Sequence, residues 1–457
     1  MTNAPAPKLT HRRSVHDGAP RENKYYLEVA TRFRLAKFVS LTLFIALLLS
    51  MISIYRDEIT VENLRYLVKY LDTDAPEYTG KYRTIYFDSS NEMQLGVYKG
   101  ELAAVSSGSV SLYNMLGNST MSYSISATRP VLLTGTQYML VYGMNENNFT
   151  INNAFSQLYS ETTDYPITGA AISDSGMFAI ITKNLEYRGV VCFYDKSFNV
   201  ISRVLKDKLI MCAAMSPDGS RAAVISAYSG DGDYVTEVMC INPYSDTPEY
   251  TVSANDTLGL TASFAPDGTL RVICDDRILF FDKNGEQSGE YSYGSSVPIS
   301  FYFSDKGSAF VFNENVIGSD NRIVLLDNTG SELTSYAMSG QIVDVCTDGE
   351  NLYVMTGSAI CRIPADDGDI LTDGSGAETV TLQSGCKQLL LKDQMTLMVC
   401  YTHKTDTYLI AELFGGGKEQ TAPETSAETK APSITAPPET AAETTAVQNQ
   451  SDNGYDD

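Results

Sequence analysis

Two acidic clusters in the sequence have carboxylates at the spacing that a cation site requires. The first is SGDGDY, which contains Asp231 and Asp233, and the second is PADDGD, which contains Asp366, Asp367 and Asp369. Carboxylate oxygens at alternate positions suit Ca²⁺, which takes hard oxygen ligands. Neither cluster completes the D-x-D-x-D-G…E pattern of a calcium loop, and both fall where strands are expected to be connected. We therefore expect solvated loops without metal, with calcium binding at these residues as the alternative.

Histidine chemistry is limited by number, because the chain has three histidines. His11 and His16 precede a long apolar run, and only His403 follows it. One imidazole cannot build a histidine metal cage, and no G-x-S-x-G elbow offers His403 a nucleophile. The sequence CYTHKTDTYL predicts that His403 lies in an exposed hairpin turn. We therefore expect no catalytic residues and no bound cofactor.

The cysteines follow the same apolar run. An even number outside the cell can build a disulfide framework. Several of these cysteines recur at equivalent strand positions about one repeat apart, where two sulfurs do not come within bonding distance. The pattern predicts buried thiols, except that Cys386 and Cys400 flank one hairpin. The eight positions are 192, 212, 240, 274, 346, 361, 386 and 400.

A repeated turn phrase marks the strands that must position these residues. MSPDGSRAAVIS at 215–226 has near-copies at 172–182, 264–274 and 303–313. In this phrase Pro217 presets φ, Asp218 can accept bonds from the following backbone, and Gly219 can adopt a positive φ. Each copy therefore predicts a tight turn between two antiparallel strands. The predicted structural turn residues are Gly176, Asp218, Gly219, Asp267, Gly268, Gly307 and Gly349.

The interval between the turns predicts the fold. Successive turn glycines from Gly176 to Gly349 are separated by 43, 49, 39 and 42 residues, and each unit reads as about four short strands. A period of about 40–45 residues with four strands is typical of a β-propeller. We predict an all-β propeller over residues 81–415 with eight four-stranded blades, and seven blades as the alternative. The last unit (386–414) supplies three strands, and YRTIYFD (82–88) can supply the fourth.

The segments around the propeller indicate an anchored protein. The uncharged run FVSLTLFIALLLSMISIY (38–55) spans about 27 Å as a helix, enough to cross a bilayer. Residues 1–37 hold eight Lys/Arg against three Asp/Glu, which predicts a cytoplasmic N-terminus and a propeller outside. A cleaved signal peptide and a buried helix are the alternatives to this single-pass anchor. Residues 56–80 predict an amphipathic juxtamembrane helix and linker, and the Thr/Pro/Glu-rich residues 416–457 predict a disordered tail.

The S-P-D-G turn before an alternating strand resembles the propeller units of TolB-type and WD-repeat-like proteins. The chain has no tryptophan, so it lacks the dipeptide of true WD repeats. The layout of basic N-terminus, apolar helix, propeller and Thr/Pro-rich tail is similar to an uncharacterised family of membrane-anchored extracytoplasmic propellers of Gram-positive bacteria. The resemblance covers residues 80–415, and it implies an architecture without an assigned activity.

The distribution of charge along the chain limits the kinds of partner that we expect it to bind. The total charge is −23, and the basic N-terminus and the acidic tail leave −22 between them. Binding to nucleic acid needs clustered Lys/Arg, so we exclude it. We expect a binding or scaffolding module for an envelope or membrane protein or a ligand, held in the bilayer by 38–55. The alternative is a carbohydrate-active or other hydrolytic or lyase enzyme that uses carboxylates at the mouth of the propeller channel.

Overall fold

The computed structural model of the protein describes residues 24–54, 82–88, 93–230, 232–315, 317–364 and 377–415. A helix, α1, begins at Lys24 and ends at Ile54. Its stretch Thr31–Met51 is long and apolar enough to cross a membrane. The helix starts well before the predicted apolar span because the preceding residues contain no Pro or Gly to stop it. The predicted linker and tail, and most of the basic segment, lie outside the described residues.

The rest of the described chain consists of short strands and one short helix, α2 (Ile410–Phe414). The strands are β1 (Tyr82–Tyr86), β2 (Gln94–Tyr98), β3 (Glu101–Val105), β4 (Ser109–Tyr113), β5 (Ser119–Ser124), β6 (Pro130–Thr134), β7 (Met139–Gly143), β8 (Asn148–Asn152), β9 (Gln157–Thr162), β10 (Ile167–Ile172), β11 (Phe178–Thr182), β12 (Gly189–Tyr194), β13 (Val200–Lys206), β14 (Leu209–Met215), β15 (Ala222–Gly230), β16 (Asp233–Ile241), β17 (Pro248–Asn255), β18 (Gly259–Phe264), β19 (Leu270–Cys274), β20 (Arg277–Phe281), β21 (Gln287–Ser292), β22 (Val297–Phe303), β23 (Ser308–Asn313), β24 (Asp320–Leu326), β25 (Glu332–Ser339), β26 (Ile342–Thr347), β27 (Asn351–Thr356), β28 (Ala359–Pro364), β29 (Glu378–Thr381), β30 (Gln388–Asp393), β31 (Thr396–Cys400) and β32 (Lys404–Leu409).

These strands form eight four-stranded sheets, so the fold is an eight-bladed β-propeller. Blades 1 to 7 take four consecutive strands each, from β2–β5 in blade 1 to β26–β29 in blade 7. Blade 8 has the order β1-β32-β31-β30, so the first strand of the chain completes the last sheet. In that pairing Tyr82 lies opposite Tyr408 and Tyr86 lies opposite Lys404. The prediction of eight blades is confirmed, and the alternative of seven is wrong.

Contacts divide the chain into two compact units. The first contains blades 1 to 4, the strands β18 and β19, and the pair β1–β32; the second contains blades 6 and 7 with β30 and β31. Within each unit the first strands of successive blades contact one another, as β10 does β14 and β22 does β26.

The core lies in the middle strands of the blades. All five residues of β3, β7, β11, β19 and β31 are buried, whereas a fourth strand such as β17 alternates between exposed and partly buried residues. A strand that is covered on both faces needs a continuous apolar run, and a half-covered strand needs alternation. Between blades 3 and 4, for example, Ile181, Val191 and Phe193 share a buried cluster with Val224 and Met239.

The repeated turn of blade 4 contacts the turn of blade 3. Gly219 has a φ of 75°, and Asp218 accepts hydrogen bonds from the Ser216 hydroxyl (2.6 Å) and the Ser220 amide (3.0 Å). The Ser175 amide of the preceding turn donates to the Pro217 carbonyl at 3.0 Å. A Cβ on Gly219 would collide with the Ser175 Oγ and lie 2.8 Å from the Met177 Sδ. Glycine is therefore required twice, by its backbone conformation and by this close approach.

The other predicted turn residues divide into two groups. Gly176, Gly268 and Gly349 also have positive φ, between 87° and 88°, and Asp267 accepts a bond from the Thr269 amide at 2.8 Å. Gly307 differs, because it lies outside the left-handed region. A Cβ at Gly307 would collide with the Leu326 carbonyl oxygen, so glycine there serves a close backbone approach rather than a positive φ.

We predict that Gly219→Ala destabilises the protein by about 3 kcal/mol, because it combines a disfavoured backbone conformation with a collision in the packed turn. Gly232→Ala is the matched control in the same blade, since Gly232 has a φ of 99° but a Cβ added there would meet no atom within 4 Å. The control should cost about 1 kcal/mol. Urea unfolding of the full chain in detergent measures both, and equal losses would contradict the role of turn packing.

Candidate binding surface

Each blade has two distinct ends, because its strands run antiparallel. The first and third connections within a blade lie at one end, which we call the turn end. The second connection, and the link from the preceding blade, lie at the opposite end, which we call the hairpin end. In blade 4 the SPDG turn and residues 242–247 mark the turn end, and residues 231 and 232 mark the hairpin end.

Four exposed apolar side chains lie at the hairpin end of blades 3 and 4. Leu185 is 92% exposed and Tyr234 is 65% exposed, and Leu205 and Leu209 are also exposed. We call this region, made of residues 183–188, 205–209, 228–230 and 232–237, the blade 3–4 surface. It lies wholly within the first unit. Soluble surfaces carry single exposed leucines routinely, so it is the number of exposed apolar residues at this one end that makes it a candidate interaction surface.

The local chain geometry holds these side chains outward. The Asn184 Oδ1 accepts hydrogen bonds from the amides of Glu186 (2.9 Å) and Tyr187 (2.5 Å), which closes a tight turn with Leu185 at its tip. Leu205 pairs with Val190 near the end of β13. The link to blade 4 is then only Asp207 and Lys208, before β14 begins at Leu209. The two leucines thus flank a short, constrained connection.

A charged network joins the end of β13 in blade 3 to β16 in blade 4. The Lys206 ammonium is 2.7 Å from the Glu237 Oε1, and the Lys208 ammonium contacts the Glu237 Oε2. Lys208 also lies 4.0 Å above the centre of the Tyr228 ring, a cation–π contact. Glu237 lies in β16 and is buried, and the buried Ser226 hydroxyl donates to its Oε1 at 3.4 Å. One carboxylate therefore fixes the positions of two ammonium groups.

Burial alone would raise the pKa of Glu237, but the hydrogen bonds and charges of Lys206 and Lys208 outweigh it and lower the pKa below its usual value. The group is therefore ionised at neutral pH. Two cations against one anion leave the network with a charge of one positive unit. The exposed Lys183 and Arg188 are offset by the exposed Glu186, Asp207 and Asp233, so the residues of the blade 3–4 surface carry four positive and four negative charges in total.

The predicted calcium residues fall largely outside the described chain. Asp231, Asp366, Asp367 and Asp369 are not among the described residues, and Asp233 is exposed at the start of β16. Among the residues that the structure describes, no group of three or more His, Cys, Asp or Glu could hold a metal ion. Calcium binding at the two acidic clusters stays an untested hypothesis.

His403 and the cysteines lie where structural roles are expected. His403 is exposed, and its carbonyl accepts a hydrogen bond from the Phe87 amide at 3.2 Å. The structure has all eight cysteines as thiols, six of them buried. Burial raises the pKa of Cys212 to about 12, so this thiol stays protonated at neutral pH. Cys386 donates to the Gln383 carbonyl at 3.3 Å rather than pairing across its hairpin.

The alternative hypothesis of an enzyme requires carboxylates at the mouth of the propeller channel. Carboxylates on the first strand of each blade are therefore the candidates. Within those eight strands the only such groups are Asp344 in β26 and Asp393 in β30. Asp344 accepts hydrogen bonds from the Ser300 hydroxyl (3.1 Å) and the amides of Val345 (2.9 Å) and Leu389 (2.8 Å). It thereby ties together the first strands of blades 6, 7 and 8, and burial raises its pKa. The enzyme hypothesis itself stays untested.

Of the residues of the blade 3–4 surface, the sequence singled out only Asp233, as a candidate calcium ligand. The sequence contains one indication of this surface, which is the interval of 49 residues between the turn glycines Gly219 and Gly268. It is the longest of the four intervals between turn glycines. That extra length lies in β15 and β16, which have nine residues each where the second and third strands of most blades have five or six. The sequence LKDKL at 205–209, in which three charged residues lie between two leucines, is a second and weaker indication of this surface.

Comparison with known proteins gives a family. Residues 77–391 match the family of unknown function DUF5711. No curated protein matches the sequence. Among solved structures, BamB from Moraxella catarrhalis is 12% identical with a TM-score of 0.48, covering 72% of this chain and 99% of that chain. A chain of the mitotic checkpoint complex is 12% identical with a TM-score of 0.42, covering 74% and 97% respectively. These similarities carry no information about what this chain binds.

We predict that Glu237→Gln lowers the free energy of unfolding by about 2 kcal/mol at pH 7, because it leaves two partly buried ammonium groups without their carboxylate. Since the folded pKa of Glu237 is depressed, its stabilisation is complete above the unfolded pKa of about 4.3 and is lost as the pH falls through the folded value. Urea unfolding of the full chain in detergent at a series of pH values should show the difference shrinking in acid.

Glu350→Gln is the control for this prediction, because Glu350 pairs with Lys306 at 3.2 Å on an exposed surface. Its effect should stay within about 0.5 kcal/mol at every pH. If both variants gave the same small effect, the Lys–Glu–Lys network would not be the stabilising element described above.

Proposed function

This chain belongs to DUF5711, a family of unknown function, and we propose that it is a membrane-anchored binding module that engages an envelope protein through the blade 3–4 surface. The observation that carries the proposal is the set of exposed apolar side chains, Leu185, Leu205, Leu209 and Tyr234, at one end of two adjacent blades. Leu185, for example, is 92% exposed and so buries little of its side chain within its own blade. Burial of such side chains against a partner would contribute about 1.5–3 kcal/mol each.

The anchor in this proposal is α1. All described side chains of its segment Thr31–Met51 are exposed, so the segment packs against no part of the described propeller. Basic residues cluster on the N-terminal side of the segment, which favours a cytoplasmic N-terminus and an extracytoplasmic propeller. This arrangement is the one expected of the Gram-positive family that the sequence resembles.

We propose further that the protein has no catalytic activity of its own. The first-strand carboxylates, which a channel-mouth enzyme would need, already have local partners. Asp344 accepts three hydrogen bonds, and Asp393 pairs with the Lys392 ammonium at 2.8 Å. A carboxylate that serves as a structural acceptor is a poor general base, because protonation would break its hydrogen bonds.

Photo-crosslinking in cells tests the proposed function. A benzophenone amino acid at position 185 should give a discrete crosslinked product with one envelope protein, because this position lies at the tip of the proposed contact. The matched position is 200, since Val200 is also an exposed apolar residue of blade 3 but lies at its turn end. Position 200 should give no such product. Crosslinking from 200 and not from 185 would place the partner on the wrong end of the blade and overturn the proposal.

A further inference from the structure

We infer that β1 is a releasable closing strand, which detaches from β32 and returns while the rest of the propeller stays folded. Along the chain β1 follows the helix α1 and is the first strand of the propeller. Its release would lengthen the chain that joins the propeller to α1 and would expose the edge of β32. Such release goes beyond the proposed function and does not involve the blade 3–4 surface.

The position of β1 in the chain makes it easier to release than other fourth strands. In blades 1 to 6 a short connection joins the third strand to the fourth; in blade 3, for example, β12 ends at Tyr194 and β13 begins at Val200. No such connection joins β1 to β32, since Thr84 and Asp406 are 322 residues apart. A released β1 therefore gains more chain entropy than a fourth strand that is held on a short turn.

The composition of β32 is that of a strand suited to exposure. The strand reads KTDTYL, and three consecutive polar side chains in it are buried, namely Thr405, Asp406 and Thr407. The third strands of blades 3 and 5 read GVVCFY and RILFF, and an apolar strand of that type would be costly to expose to water. Inward-pointing charged residues are instead typical of strands that serve as sheet edges.

Two buried hydroxyls make the closed state of this blade less favourable. Among the residues that the structure describes, the Thr405 and Thr407 hydroxyls have no hydrogen-bond partner. Thr405 lies opposite Ile85, and Thr407 lies opposite Arg83. Paired residues share one face of a sheet, so detachment of β1 removes the cross-strand neighbour of each hydroxyl and admits water. A buried hydroxyl without a partner destabilises the closed state, and hydration on opening removes that penalty.

The contacts that hold β1 can be broken without leaving a charge unpaired. Besides the backbone pairing, β1 has buried side chains at Ile85 and Phe87. The Thr84 hydroxyl also donates to the Asp406 Oδ1 at 2.6 Å. The Lys404 ammonium, which belongs to β32 itself, donates to the Asp406 Oδ2 at 2.8 Å. Asp406 therefore keeps its cation after β1 leaves, which avoids the large cost of an isolated buried carboxylate.

Hydrogen exchange resolved to single amides tests this release, measured on the full chain in detergent at urea concentrations below the unfolding transition. The amides that pair β1 with β32 should exchange about tenfold faster, or more, than the amides that pair β13 with β12. Their rates should depend only weakly on urea, because a local opening exposes little surface. Equal rates for the two pairs, or a urea dependence equal to that of global unfolding, would overturn the inference.

A matched pair of variants tests the cause of the release. Thr405→Val replaces a buried hydroxyl without a partner by a methyl group of similar shape, so exchange of the β1–β32 amides should slow about tenfold. Thr334→Val is the control, because the Thr334 hydroxyl in β25 is also buried without a partner among the described residues. The control should leave the β1–β32 amides unchanged. An equal effect of both variants, or no effect of Thr405→Val, would contradict the role given to β32.

Ile85→Ala makes the opposite change, because it removes a buried contact of β1. Exchange of the β1–β32 amides should become about tenfold faster, or more, while that of the β12–β13 amides stays the same. Equal acceleration of both sets would show that β1 leaves only when the whole propeller unfolds, and would also overturn the inference. None of these outcomes affects the crosslink expected from position 185, so the proposed function is tested separately.

Discussion

The packing of one blade's first turn against the turn of the blade before it is the interaction on which the rest of the domain depends. Between blades 3 and 4 it combines a positive-φ glycine, a backbone hydrogen bond from Ser175 to Pro217, and contact with Met177. The same close approach recurs where Gly176 meets Tyr138 and where Gly349 meets Lys306. Each contact fixes the distance between adjacent sheets, which the apolar side chains between them then fill.

Because of this packing, the two ends of a blade differ in their contacts with neighbouring blades. At the turn end, the first turn of one blade contacts the turn of the preceding blade. A change in loop length there would therefore disturb the packing of the adjacent blade. At the hairpin end other glycines make the close approach between blades, since a Cβ on Gly189 would collide with Ile210 of blade 4, but the strands of blade 4 are longer at this end. The added length of β15 and β16 in blade 4 brings Glu237 and Tyr228 to Lys206, at the end of β13, and to Lys208, which follows it. The candidate surface is thus a product of strand length at the hairpin end.

The repeated turn phrase was sufficient to predict the fold, including the completion of the last blade by residues 82–88. Turn chemistry is local, so Pro217, Asp218 and Gly219 can be interpreted from their neighbours alone. Gly307 shows the limit of that reasoning, because its glycine is required by the Leu326 carbonyl of a different strand. The binding surface could not be predicted for the same reason. Lys206 and Glu237 are 31 residues apart, and only the register between strands of two blades brings them together.

The central claim is that a partner covers the hairpin end of blade 3 and leaves its turn end bare. Lys183 and Lys196 are both exposed lysines of this blade, at the hairpin end and the turn end respectively. The most direct test labels intact cells and the detergent-purified full chain with a membrane-impermeant amine reagent and quantifies both lysines by mass spectrometry. The account predicts that Lys183 is labelled several-fold less in cells than in the purified chain, while Lys196 is labelled equally in both. Equal labelling of Lys183 in the two samples, or no labelling of either lysine in cells, would contradict it.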